Sequence, residues 1–425
     1  MNFDDTPQEA DFRARAAAWI ANNAPFELGP ELDVSGFGHL HLHSVDRIAA
    51  AKAWQKKKFD AGWAALRWPR EYGGAGASPI EQVIWSEEEG VFGKLSGPFN
   101  IGFGMCGPTV MAWASEEQKR HLLPRLAAGE DIWCQLFSEP VAGSDLAGIR
   151  TKAVQDGDPG SEAGAGDWII NGQKIWTSGA RDADWGLLIT RTDPTVLKHR
   201  GLTMFFLDMK SPGVEIRPIW QMNEESVFNE VYFTDVRIPD AQRLGEVGQG
   251  WTVALTTLMN ERMSIGGSMP TGFPQLLDLC TQIETENGPA IDDPRVRSQL
   301  ARFAVRASGL QYSAFRSISA LSRGEQPGPE NSIGKLVAGA MMQDIARFAL
   351  DLEGEAGLLQ DKELAPDRAR FQEMLLRSPA TRIEGGSDEV LRNIIAERVL
   401  GLPADIRADK DVPFDQIPTA ASAKR

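Results

Sequence analysis

Hydrophobic and polar positions change period twice along the chain, which divides it into helical, strand-rich and helical stretches. Residues 1 to about 130 carry apolar positions three and four apart, with start signals in front of them. Thr6-Pro7 opens one predicted helix, and Ser78-Pro79-Ile80-Glu81 joins an N-cap, a first-turn proline and a capping-box glutamate. Ser115-Glu116-Glu117-Gln118 repeats that logic before His121-Leu122-Leu123, and Gly73-Gly74-Ala75-Gly76 breaks the pattern between helices. From Trp133 to about Pro239 the period shortens, predicting strands over 168–170, 185–190, 203–207 and 227–233. The Gly-rich run 156–166 predicts an elongated surface loop. Helical spacing returns from Gly248 to Leu402, interrupted at 324–329 and 354–358, and the tail beyond Pro403 is expected to fray. No internal repeat is evident, and the predicted domains are 1–130, 131–240, 241–403 and a tail of 404–425.

Two short runs carry candidate chemistry: WCQLFSEPVAGSD (133–145) and INGQKIWTSG (170–179). In the first, Ser138 supplies a hydroxyl, and Ala142-Gly143-Ser144 forms a small-residue loop whose backbone N–H groups a ligand can approach. In the second, Asn171-Gly172 predicts a hairpin that delivers Trp176 and Ser178 at the strand exit. Hydroxyls, a small loop and a large indole together suit a planar, hydrogen-bonding cofactor. Farther on, Ala254, Leu258, Glu261 and Ile265 follow at spacings of 4, 3 and 4, so they share one helix face. A glutamate on an apolar stripe is expensive unless it is paired or functional. Its neighbour Arg262 points elsewhere on the helix and is no intrahelical partner.

Charge narrows the partners. The 425 residues hold 44 Lys and Arg against 59 Asp and Glu, a net charge of −15. That balance argues against nucleic acid and anionic membranes. An anionic nucleotide ligand therefore needs a locally basic patch, for which Lys198-His199-Arg200 and Arg243 are candidates. Cys106, Cys134 and Cys280 show neither disulfide nor metal spacing, and the five histidines, including the alternating His39, His41 and His43, match no metal-ligand pattern. With no leader-like or membrane-length apolar run, the expectation is a soluble, cytoplasmic, reduced protein.

The two runs, together with RWPREYGGAG (67–76), GEVGQGW (245–251) and NIIAERVLGL (393–402), resemble the acyl-CoA dehydrogenase family over nearly the whole chain to Pro403. The resemblance implies an α+β multidomain fold: a helical N-terminal domain, a middle β-barrel and a C-terminal four-helix bundle that drives oligomerisation. It implies FAD-dependent dehydrogenation of an acyl-CoA thioester, in which a carboxylate removes the α-proton while hydride passes from the β-carbon to flavin N5. Electrons then pass to an electron-transfer flavoprotein. By the same resemblance Trp176 covers the ring, Ser138 and Ser178 bond its polar edge, and Ser144 lies near cofactor and thioester. Gln135, Phe137, Gly143, Ser387 and Glu389 are further cofactor contacts on this basis.

The base has two candidates. Isovaleryl-CoA and long-chain acyl-CoA dehydrogenases carry it in a helical Glu-Arg pair, matched here by Asn260-Glu261-Arg262, with Arg262 at the substrate end. Other members carry it near the C-terminus. Aligning on Arg392 puts Gly385 at that position and Glu384 one place early, which favours Glu261 and leaves Glu384 as the alternative.

Two family motifs are altered. The Arg-x-x-Phe-Gly motif that reaches a neighbouring subunit's FAD is absent at 286–294, and the Gln-x-x-Gly-Gly-x-Gly run becomes Asp351-Leu352-Glu353-Gly354-Glu355-Ala356-Gly357. Extra acid beside a pyrophosphate is unfavourable. These departures leave open a homodimer or homotetramer, a heteromer with a paralogue in which this subunit does not complete a flavin site, or a relative that passes electrons to oxygen, as acyl-CoA and nitroalkane oxidases do.

Overall fold

A computed structural model of the chain describes residues 5–34, 42, 44–157, 166–266, 271–285, 288–323, 325, 328–406 and 409–418. His39, His41 and His43, residues 158–165 of the Gly-rich run, Glu286, Asn287 and the end of the tail lie outside them, as do the side chains of Arg262 and Ile265. The chain forms two compact units, each assembled from separated stretches. The first takes Met1–Arg47, Ala77–Lys94 and Arg262–Ala404; the second takes Ile48–Gly76, Leu95–Glu261 and Asp405–Arg425.

The first unit is helical. Its N-terminal part holds α1 (Pro7–Asn23) and α2 (Gly29–Val34). Helix α1 starts where expected, with Thr6 and Glu9 forming a reciprocal capping box. Phe12, Ala16 and Ile20 recur every four residues and form its buried face. In the second unit α3 (Arg47–Asp60) follows; the chain then returns to the first for α4 (Pro79–Glu89), where Ser78 and Glu81 form the second predicted box. Trp19 of α1 meets Trp85 of α4 at 5.8 Å between ring centroids.

Helices α5 (Gly107–Trp113) and α6 (Glu116–Ala127, capped by Ser115 and Gln118) belong to the second unit and lead into its sheet. The strands are β1 (Trp133–Leu136), β2 (Lys152–Gln155), β3 (Trp168–Ser178), β4 (Trp185–Arg191), β5 (Leu202–Asp208), β6 (Val214–Pro218), β7 (Phe228–Ile238) and β8 (Arg243–Leu244). Strands β4 and β5 are buried along almost their whole length, which is why they read as continuous apolar runs. The pairing order is β6-β7-β3-β2-β4-β5-β8, with β1 added in parallel to β4.

That order corrects two expectations. The middle domain is a sheet rather than a closed barrel, because no pairing among the described residues joins β6 to β8. The end strands do not favour closure: β8 is two residues long, and β6 presents the exposed Glu215–Arg217 ion pair at the edge. Asn171-Gly172 is not a hairpin turn. It lies inside β3, where the register against β7 slips between Ile170 and Gly172. Gly172 has φ +152°, and a Cβ there would come within 2.6 Å of Thr151, so a bulge crossing another strand this closely selects glycine as a tight turn does.

Helix α7 (Gly250–Gly266) runs from the second unit into the first. The first unit then continues with α8 (Phe273–Gln282), α9 (Pro294–Ser322), α10 (Ser332–Glu353), α11 (Arg370–Thr381) and α12 (Asp388–Ile394), around a core that includes Leu276, Phe303, Met341, Ile345, Phe371 and Met374. No described helix is long and apolar enough to cross a membrane. The described part of the tail departs from its expected fraying: Pro413 bridges to Leu197, and Phe414 N donates to Val196 O at 2.9 Å, so this segment packs back on the sheet unit.

Candidate active site

The two chemistry-bearing runs meet in the second unit. Ile175 N donates to Ser138 O at 2.9 Å, which joins the middle of the first run to the middle of the second. One residue earlier, Lys174 is fully buried, and its ammonium donates to Phe137 O and to Glu139 Oε1, each at 2.9 Å. Glu139 also accepts from the N–H groups of Arg150 (2.6 Å) and Thr151 (2.9 Å), so one carboxylate closes the base of the 139–151 loop. Burial raises the Glu139 carboxyl, but the Lys174 charge and these donors outweigh it and hold the group below its ordinary value. Burial also pulls Lys174 down to about 8, against the opposing pull of Glu139. The pair is ionised at neutral pH, because each charge is answered by its partner and by further hydrogen bonds.

Glu139 and Ala142 exchange two backbone bonds of 3.0 Å, which turns the loop tightly and leaves Gly143 and Ser144 exposed beyond it. A Cβ at Gly143 would meet nothing within 4 Å. In β3 a second register slip lies between Lys174 and Thr177, and inside it Trp176 adopts φ +60°. A non-glycine residue holds that conformation only when its surroundings impose it. The result is an indole left 55% exposed, edge-on to Phe228 with centroids 5.9 Å apart. Beside it, Ser178 is half-buried, and the buried Thr177 Oγ1 has no hydrogen-bond partner among the described residues.

Three of the four positions predicted to share one face of α7 can be described, the Ile265 side chain lying outside the described residues. Ala254 is fully buried, Leu258 packs against the sheet core and Glu261 is half-buried. Two hydroxyl links between α5 and α7 fix the helix: Thr109 to Thr257 at 2.9 Å and Trp113 Nε1 to Thr256 at 3.0 Å. Gln135, on β1, donates to Glu261 Oε2 at 3.4 Å. Phe137 is buried at the end of the same segment.

The other predicted residues belong to the first unit. Glu384 receives Arg377 Nη2 on both of its oxygens at 2.8 Å, one nitrogen shared by the carboxylate. Ser387 caps α12, its hydroxyl accepting from Val390 N at 3.3 Å. Glu389 is exposed in the first turn, where backbone N–H and the Ser387 hydroxyl keep its carboxyl low.

Two of the expected basic positions have carboxylate partners. Lys198 is buried between Asp145 (2.8 Å) and Asp409, and Arg243 forks onto Asp240. His199 packs against the Trp251 ring at 4.8 Å, and Arg200 is exposed. Sequence reasoning missed Glu139, Lys174, Arg191 and Phe414. Only Lys174 left a local signal, as a lysine on the face of β3 that also buries Ile170 and Thr177. Among the described residues no His, Cys, Asp and Glu group could hold a metal ion.

Three family models match successive stretches: the acyl-CoA dehydrogenase N-terminal domain over 41–130, the middle domain over 134–236 and the C-terminal domain over 248–400. The chain belongs to the acyl-CoA dehydrogenase family. Acyl-CoA dehydrogenase IpdE1 of Mycolicibacterium smegmatis is 36% identical over 403 residues, covering 93% of this chain and 98% of that protein. Among solved structures, the Tcur3481-Tcur3483 steroid ACAD matches with a TM-score of 0.78 and 27% identity, over 95% of this chain and 100% of that one. The ChsE4-ChsE5 complex from Mycobacterium tuberculosis matches with a TM-score of 0.74 and 28% identity, over 95% and 100%. This acyl-CoA dehydrogenase is thus an oxidoreductase of a three-part fold, with helical N- and C-terminal domains and a sheet domain between them.

FAD is the cofactor of the family, and the sheet unit fits it. A large indole held outward by a strained backbone offers a cover for a flat ring. The orphaned Thr177 hydroxyl and the half-buried hydroxyls of Ser138 and Ser178 offer hydrogen bonds around it, and Gly143 leaves its side of the loop clear.

Proposed function

We propose that this acyl-CoA dehydrogenase removes the α-proton of its acyl-CoA substrate with Glu261 while the isoalloxazine ring lies against Trp176, Ser138 and Ser178. One observation carries the reading. Strand β1 places Gln135 at 3.4 Å from Glu261, and three residues on it presents Ser138, bonded to the strand that holds Trp176 and Ser178. A single short segment therefore ties base to ring face.

In this reading the Glu261 carboxylate takes the proton, from the helix face it shares with Ala254 and Leu258. Gln135 orients the carboxylate. Phe137, Gly143 and Ser144 would help hold the cofactor, with Ser144 near the thioester. By the family resemblance Arg262, Ser387 and Glu389 remain proposed contacts of substrate and cofactor. Bound there, FAD supplies the two-electron acceptor. Electrons leave to an electron-transfer flavoprotein in the cytoplasm. The Arg377 pair supports a structural role for Glu384, since both of its carboxylate oxygens are already engaged. We keep domain limits at 1–130, 131–240 and 241–403, the last as a four-helix bundle that mediates assembly. The steroid enzyme that this chain resembles supports bulky polycyclic acyl groups as the first thioesters to test.

Glu261→Gln tests the reading. The variant keeps its FAD and its fold, and bleaching of the flavin by acyl-CoA slows by about a thousandfold, within the range for a lost general base. Wild-type bleaching in that variant moves the base to Glu384 and overturns the assignment.

A second reading is favoured by the altered run at Asp351 and Glu355 and by the two-protein neighbours: this chain works as one subunit of a heteromer with a paralogue.

A further inference from the structure

The segment 409–418 that packs on the sheet unit makes three contacts with one region. Pro413 bridges to Leu197, Phe414 N donates to Val196 O, and Asp415 N donates to Pro194 O, the last two at 2.9 Å. These anchor the tail along the connection between β4 and β5. From there its side chains reach two buried cations. The Phe414 ring covers the Arg191 guanidinium, with the centroid 3.6 Å from Cζ, and Arg150 lies 5.6 Å from the same ring. Asp409 joins Asp145 on the Lys198 ammonium.

Both cations hold the loop that begins at Ser138. Arg191 donates through Nε to Ile149 O (3.1 Å), through Nη1 to Lys198 O (3.0 Å) and through Nη2 to Ala147 O. Its backbone N donates to Thr151 O at 2.7 Å. Lys198 takes Asp145, the residue after Ser144. Arg191 is only 4% exposed and has no carboxylate within ion-pair distance among the described residues. A buried cation so placed depends on carbonyl dipoles and an aromatic face for its compensation. The Phe414 ring supplies that face and keeps water from competing for the three carbonyls.

We propose that residues 409–418 form a strap that holds the 139–151 loop in its flavin-binding shape, with Phe414 as a positioning residue acting through Arg191. The proposal rests on the reading that this loop borders the flavin. It places a determinant of cofactor retention more than 250 residues away in sequence from the loop it controls.

The test uses the full-length holoenzyme, with hydrogen exchange of the amides over 142–150 and release of FAD on dilution as its two readouts. In Phe414→Ala, exchange in that loop rises about tenfold and FAD leaves about tenfold faster, while exchange in the helical unit stays at the wild-type level. Phe414→Tyr keeps the ring and restores both readouts to within about twofold. Arg191→Lys keeps the charge but loses the planar fork, and it behaves like Phe414→Ala. Loop exchange unchanged in Phe414→Ala overturns the proposal, as does faster exchange with unaltered FAD release. Trp176→Ala separates the underlying reading: FAD release unchanged in that variant shows the site assignment, rather than the strap, to be wrong.

Discussion

Glu353 on α10 shows what burial does to one carboxyl. Gln372 Nε2 donates to its Oε2 at 2.9 Å, but Oε1 has no partner among the described residues, and burial raises the group to about 7. The sign follows directly. An acid whose folded pKa lies above its unfolded value, 4.5 here, holds a proton in the folded state that the unfolded chain has released. Stability is therefore greatest below about 4.5 on this account and is lost as pH rises through about 7. Glu353→Gln keeps the shape and removes the titration, so its melting temperature exceeds that of the wild type at pH 8 and matches it more nearly at pH 5. Thermal melts at the two pH values check this, and a wild-type slope in the variant contradicts it. Glu384 is the opposite kind of residue, a carboxylate whose charge Arg377 already answers. Nothing local in the sequence tells the two carboxyls apart in charge. Their partners, Gln372 and Arg377, decide the difference.

Among the elements, β3 and the loop that follows β1 lock together through the buried Lys174–Glu139 pair. The pair satisfies Phe137 O and the N–H groups of Arg150 and Thr151 as well as itself. Removing one partner leaves an unanswered buried charge, so Lys174→Met costs about 3–5 kcal/mol in chemical denaturation. Adding Glu139→Gln to that variant recovers part of the loss, because the stranded charge is gone; a double variant no more stable than the single one contradicts the account. Element identity was legible where its cause is local. The boxes at Thr6, Ser78 and Ser115 join residues three apart, and all three cap the helices expected of them. Asn171-Gly172 misled because its glycine answers to Thr151 across the sheet rather than to a turn. The barrel expectation failed similarly, since closure depends on whether two short end strands can pair, which no single strand encodes.

For the whole molecule, the open question of assembly turns on the stretch where the chain leaves its family's pattern. Asp351 and Glu355 are exposed acids in place of a glutamine and a glycine, and acids there repel a pyrophosphate. If a paralogue completes the cofactor site, the chain purified alone carries well under one FAD per subunit, and co-expression restores full occupancy in a mixed complex. Flavin absorbance against protein concentration measures this, and full occupancy in the chain alone excludes the need for a partner. The sequence by itself determined the family, the helix–strand–helix order, the capped helix starts and the apolar stripe that carries Glu261. Each of these rests on neighbours in sequence, on hydrophobic periodicity or on short motifs that act through their own backbone. Only the tertiary structure decided the Gln135–Glu261 contact, the bulges that turn Trp176 outward, the Lys174–Glu139 lock and the return of Phe414 to Arg191. Those depend on charges and polar groups buried together from distant stretches, whose cost is met only when the fold brings their partners within hydrogen-bond or ring-contact distance.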